Sequence, residues 1–138
     1  MNNTSIPFAF NTLFESPTAE ELVMLRDQIG WGELNLSMAK SSLENSLFHV
    51  IIRDNLQLIG MARIIGDGVM YFYIQDVIVH PNYQGQGVGA TLMTQIEKYL
   101  SKTAKKGATV GLLSAKNKEG FYQQYGYTLR PNDALGNG

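Results

Sequence analysis

"VMYFYIQDVIVHPNYQGQGVGATLMTQIEKYL", residues 69–100, changes its period once, and that change decides the fold. As far as Val79 the run is aromatic and β-branched, the composition of a pleated, half-buried strand. From Val88 the apolar positions Val88, Leu92, Ile96 and Leu100 recur every four residues, with Tyr99 near the same face, which is one stripe of a helix. That helix is predicted to end near "KTAKKG", where Lys102, Lys105 and Lys106 suit its negative end and Gly107 can stop it. "ATVGLLSA" (108–115) reads as the next strand. Two strands joined through one helix are parallel neighbours, so this stretch is a βαβ crossover.

Upstream, the pattern is that of an antiparallel meander. "LFHVIIRDNLQLIGMARIIGDG" (47–68) reads as two strands turning at Asp54-Asn55, and Gly66-Asp67-Gly68 turns the chain into the long strand. "SPTAEELVMLRDQIG" (16–30) reads as a helix: Ser16 or Thr18 can cap it, Glu20 and Glu21 suit its positive end, Leu22, Leu25 and Ile29 share a face, and Gly30 stops it. Leu36, Ala39 and Leu43 fit a short second helix, and "IPFAF" (6–10) an edge strand. Downstream, "KEGFYQQYG" (118–126) reads as a short helix and "YTLR" (127–130) as a last strand cut off by Pro131. The class is α/β, a mixed sheet with an N-terminal meander and a C-terminal crossover.

The 138 residues, 44% of them hydrophobic, suffice for one domain, 1–138, with a continuous core. Eleven basic residues against twelve acidic ones argue against a nucleic-acid partner, which needs a wide basic face. With no cysteine there is no disulfide, thiolate nucleophile or Cys-rich zinc site, and two distant histidines make no metal site. His80 precedes Pro81 and reads as a turn former, and His49, mid-strand, as a packed or satisfied histidine. The start "MNNTSIPFAF" has no signal-peptide pattern and no apolar run reaches spanning length, so the expectation is a cytoplasmic protein with no membrane association.

Gly85, Gly87 and Gly89 stand where strand gives way to helix. A dinucleotide fingerprint needs G-x-G-x-x-G and an acidic residue after the next strand, and a P-loop needs Lys followed by Ser or Thr; "QGQGVGA" has neither spacing. The alternatives are a turn that merely packs closely, or a nest of backbone amides at a helix start, which holds a pyrophosphate with few cationic side chains. Each glycine early in a helix costs about 1 kcal/mol against alanine, which favours a reason beyond packing.

With those residues in view, "DVIVHPNYQGQGVGATLMTQIEKYL" (76–100) closely resembles the acetyl-CoA motif of the GCN5-related N-acetyltransferases: Gln or Arg, two residues, Gly, one residue, then Gly or Ala, matched by Gln84, Gly87 and Gly89. "FYQQYGY" (121–127) resembles the family's late Phe-Tyr-x-x-x-Gly-Phe element, with Tyr127 for the final Phe. The resemblance implies the acyl-CoA N-acyltransferase fold and acetyl-CoA as acyl donor. It puts the pyrophosphate on the amides of Gln84, Gly85, Gln86, Gly87, Val88, Gly89 and Ala90, and the pantetheine arm along Val77, Ile78 and Val79. It implies direct transfer to an amine, expected to be that of a small molecule, with Tyr122 protonating the departing thiolate; an amphipathic core tyrosine is the plain alternative.

Relatives place a base where Tyr73 and Gln75 stand, and neither is one. Asp76 is the carboxylate of that strand, placed by alternation on the opposite face unless a bulge shifts it, and reads equally as a base or as a buried, hydrogen-bonded group. By the same resemblance Trp31, Glu33, Tyr71, Tyr73 and Gln75 would face the acceptor. The weak base candidates leave a non-catalytic acyl-CoA-binding or sensing module as the alternative. "RPNDALGNG" leaves little for a last strand pair, so the final strand is short, missing or supplied by a partner, and a homodimer is admissible.

Overall fold

The computed structural model describes residues 10–138. Five strands form one sheet in sequence order: β1 (Phe10–Leu13), β2 (Phe48–Asp54), β3 (Gln57–Gly66), β4 (Tyr71–Val79) and β5 (Thr109–Gly111). The first four pair antiparallel and β5 joins β4 in parallel, so the meander and crossover stand as expected. Asn55 turns β2 into β3 with a left-handed backbone, φ 54°, which Asn tolerates.

Two helices precede the meander. In α1 (Ala19–Gln28) Thr18 is the cap: its Oγ1 accepts from the Glu21 amide while Glu21 Oε1 accepts from the Thr18 amide, a capping box that satisfies two orphan donors. Asn35 caps α2 (Leu36–Glu44) through the Met38 amide, and Ala39 and Leu43 are its buried residues; Leu36, expected on that face, is exposed. The crossover helix α3 (Val88–Thr103) buries Val88, Leu92, Ile96 and Leu100 as the period required.

The sheet separates two cores. On one face α3 packs on Val50, Ile64, Phe72 and Ile74; on the other α1 and α2 pack on Ile51, Met61 and Ile78. A close approach seats α3, because a Cβ on Gly60 of β3 would stand 2.6 Å from Val88 Cγ1. Only a residue without a side chain lets the first turn of α3 lie this near the sheet.

The chain departs from its sequence reading at both ends. Among the described residues β1 runs on to Leu13, past the expected end at Phe10, and residues 6–9 of "IPFAF" lie outside the described residues. The expected strand 108–115 pairs over Thr109–Gly111 alone, and residues 127–130 form no strand. After β5 the short α4 (Glu119–Gln123) is the remaining regular element among the described residues.

Candidate functional site

β5 pairs with β4 from Tyr71↔Thr109 to Tyr73↔Gly111 and then leaves it. The rest of β4 keeps an unpaired edge, and a cleft of about 540 Å³ opens there. Val77, Ile78 and Val79 form its floor, and Leu112, Phe121 and Tyr122 its opposite wall. A strand whose outer amides and carbonyls lack a neighbour is a template for an extended polar chain, so ordinary Val and Ile can form a binding bed through their backbone.

The glycine junction closes one end. His80 Nδ1 accepts from the Asn82 amide at 3.1 Å, which makes the imidazole a turn former before the single 3₁₀ turn Pro81–Tyr83. Gly85 (φ 80°) and Gly87 (φ 84°) are both left-handed, and Gly87 is the N-cap of α3 with no capping side chain. The amides of Val88, Gly89 and Ala90 precede the first intrahelical donor, the Thr91 amide, which bonds the Gly87 carbonyl at 3.0 Å, and so have no partner within the helix.

 With Gln84, Gly85 and Gly87, these three residues (Val88, Gly89, Ala90) line the cleft; Gln86 does not. Their open N–H groups and the positive end of the helix make a ready anion site. Tyr83 lines the cleft and braces the loop, donating its hydroxyl to Asp54 Oδ2 at 2.8 Å. That bond pushes the Tyr83 pKa upward.

α4 supplies the opposite wall. Its Phe121 ring lies 3.5 Å from where a Gly89 Cβ would stand, an ordinary contact distance, so α4 packs directly over the start of α3. Tyr122 is half-buried beside Phe121, with ring centroids 5.1 Å apart, and burial raises its pKa above the usual phenol value. Tyr127 donates to Glu97 Oε2 at 2.8 Å and so fastens the segment after α4 to α3.

At the other end the cleft meets the residues after α1. Ile29, Trp31 and Gln75 line it; Glu33, Tyr71 and Tyr73 do not. Tyr71 is 57% exposed at the far end of β4, where β5 still pairs. The Arg26 guanidinium lies over the Trp31 ring, 5.1 Å from its centroid.

Asp76 has a left-handed backbone, φ 54°, beside an irregularity in the β3–β4 register between Met61 and Arg63. This bulge reverses the alternation of β4. Phe72 and Ile74 face α3, whereas Ile78 faces α1 and α2, so Asp76 shares the face of Gln75 rather than the opposite one. Its carboxylate is fully buried and engaged: Oδ1 accepts from Arg26 Nη1 at 2.6 Å and from Gln75 Nε2 at 3.2 Å, and Oδ2 from Arg63 Nε at 2.9 Å. The geometry therefore corresponds to the buried, hydrogen-bonded reading of Asp76. To act as a base it would have to give up two guanidinium contacts.

His49 Nε2 lies 3.0 Å from the Leu43 carbonyl, away from the cleft, and burial lowers its pKa. Sequence reasoning missed Arg26 and Arg63, which lie 50 and 13 residues from Asp76, and the cleft residues Tyr83, Leu112 and Phe121. The late motif could have pointed to Phe121; no local signal pairs the arginines with Asp76. No helix among the described residues is long and apolar enough to cross a membrane.

Residues 25–138 match the family model of the acetyltransferase (GNAT) domain. An uncharacterized ycf52-like N-acetyltransferase of Prochlorococcus marinus is 36% identical over 115 residues, which are 80% of this chain and 63% of that protein. Histone acetyltransferase TAP1 of Glycine max is 31% identical over 128 residues, covering 84% of this chain and 54% of the relative. This chain thus spans less than two thirds of the length of either protein. The crystal structure of a probable acetyltransferase from meticillin-resistant Staphylococcus aureus matches with a TM-score of 0.86 at 32% identity, over 92% of this chain and 96% of the other.

Proposed function

Because the chain belongs to the GNAT acetyltransferase family, whose members use acetyl-CoA as acyl donor, we propose that it transfers an acetyl group to the primary amine of a small molecule. The observation that carries this reading is the convergence on one cleft of the open amides of α3, the unpaired edge of β4 and the Tyr122 side chain. When bound, acetyl-CoA supplies a thioester whose C–S bond breaks as the N–C bond to the amine forms.

The chain's own residues do the rest. The amides at Val88, Gly89 and Ala90 would donate hydrogen bonds to a pyrophosphate, and the backbone of Val77–Val79 would align the pantetheine arm beside β4. Tyr122 gives its phenolic proton to the leaving thiolate, and a pKa raised by burial keeps that proton in place until it is needed. The amine must arrive neutral. For an alkyl ammonium of pKa about 10.4, deprotonation at pH 7 costs about 4–5 kcal/mol. Among the described residues the cleft lining contains no imidazole, and its one carboxylate is Asp76, so the proton leaves through water.

The amine end supports a small acceptor. Ile29, Trp31 and Gln75 offer apolar surface and one amide, with no free carboxylate of the kind a Lys-rich peptide would seek. Calorimetry with acetyl-CoA, followed by a thiol-release assay over a panel of small amines and Lys peptides, tests the reading. Binding with release by small amines supports it, and release by peptides alone refutes the choice of acceptor. The missing base favours one second reading, an acyl-CoA-binding module; binding without release by any amine would select it.

A further inference from the structure

The buried Asp76 clamp has no part in the reaction just described, yet it joins the two ends of the cleft. A buried carboxylate shared by two guanidiniums is a costly arrangement, and a non-glycine residue at positive φ inside a strand adds backbone strain. Such features persist where the surrounding structure holds them in place. Here Arg63 Nε grips Asp76 from β3, while its Nη1 donates to the Ser42 carbonyl and Ser46 Oγ at the end of α2, at 3.1 and 2.9 Å. Arg26 grips it from α1 and lies over Trp31.

The consequence is mechanical. The bulge at Asp76 lies where β4 passes from its β5-paired half to its free edge, immediately before the Val77–Val79 bed. The same carboxylate, through Arg26, places the Trp31 ring on the amine side. One ion pair therefore ties the bulge before the Val77–Val79 bed to the wall that carries Trp31.

We propose that Asp76 and Arg26 are positioning residues that couple the acyl bed of β4 to the Trp31 wall, so that acyl-chain length is read by the clamp. The proposal rests on the acyltransferase reading for its choice of ligand, but the clamp itself can be measured without any ligand. Because Trp31 is the sole tryptophan, its fluorescence reports on the arrangement directly.

The experiment uses the full chain and the variants Asp76→Asn, which tolerates positive φ while losing the charge, and Arg26→Met, which alters a partly exposed side chain. In both, Trp31 emission should shift from the wild-type spectrum as Arg26 leaves the ring. Calorimetry with CoA, acetyl-CoA and propionyl-CoA should show CoA affinity kept within about twofold, while the wild-type preference for acetyl over propionyl, expected at about fivefold or more, falls to about twofold or less. A merely structural clamp would weaken all three ligands together and leave the preference intact, which overturns the proposal. An unchanged Trp31 spectrum in Arg26→Met overturns it too, even if Asp76→Asn does not fold and whether or not any CoA species binds. Failure of all CoA species to bind the wild type refutes the acyltransferase reading, and the emission comparison then decides the clamp separately.

Discussion

The proton proposed to leave Tyr122 sits on a half-buried phenol. Burial disfavours the phenolate, so the raised pKa means the acid form is complete below about 10 and is lost only as pH rises through that higher value. The ammonium of the acceptor titrates the other way. The expected profile is a rate at subsaturating amine that climbs about tenfold per pH unit between 7 and 9, with no descending limb below 10. Replacing Tyr122 with Phe should lower kcat by about a hundredfold and leave acetyl-CoA affinity within about twofold; stopped-flow thiol release beside calorimetry checks both. An unchanged kcat would remove the assigned role. The place of Tyr122 in the cleft was legible because a local motif, "FYQQYGY", carries it. The state of Asp76 was not, because its partners come from α1 and β3, and a bulge inverts the alternation that sequence reading relies on.

Among the elements, α3 carries the most consequence, since its start is both the proposed anion site and a packing surface. Gly87 caps it at φ 84°, where a side chain costs about 1–2 kcal/mol, more for a β-branched residue. Gly87→Val should reduce acetyl-CoA affinity by about tenfold or more, because the cost falls on the amides that face the ligand. Gly60→Ala reaches the same turn from beneath. Its new Cβ would lie 2.6 Å from the Cγ1 of Val88, a stiff residue in a helix, so the expected loss is about 1–3 kcal/mol of stability, read by denaturant titration. Equal stability in Gly60→Ala would mean that α3 shifts freely on the sheet. The stripe of α3 and the cap of α1 were readable because both are local patterns of spacing and side-chain chemistry. The length of β5 was not readable, because whether residues 112–115 pair depends on how far β4 splays, which its own alternation does not show.

At the scale of the whole molecule, two cores meet through one sheet, and the groups between them set how stability responds to pH. His49 has its pKa lowered by burial, so above about 6.5 neither state carries its proton; below that the unfolded chain takes it up first, and stability falls until the lower folded value is passed. Glu21, held below the usual carboxylate range by Arg53, adds stability that is present above its unfolded pKa of about 4.5 and is lost as pH falls through its folded value. Urea titration should therefore show a first decline below about pH 6.5 that His49→Gln removes, and a second below about 4.5 that it leaves. Ligand linkage tests the cleft as a unit. At a concentration a hundred times Kd, CoA should stabilise the chain by about 2.7 kcal/mol, raising Tm by about 10 °C. If the amides of α3 supply most of the grip, pantetheine, which lacks the phosphates, should give almost none of that rise at the same concentration. If the free edge of β4 dominates instead, pantetheine should give a comparable rise, and the glycine junction would then be a turn that packs closely rather than an anion site. The left-handed Gly87, an N-cap without a capping side chain, favours the first outcome, because Ser, Thr, Asn or Asp there would satisfy the amides from within the chain.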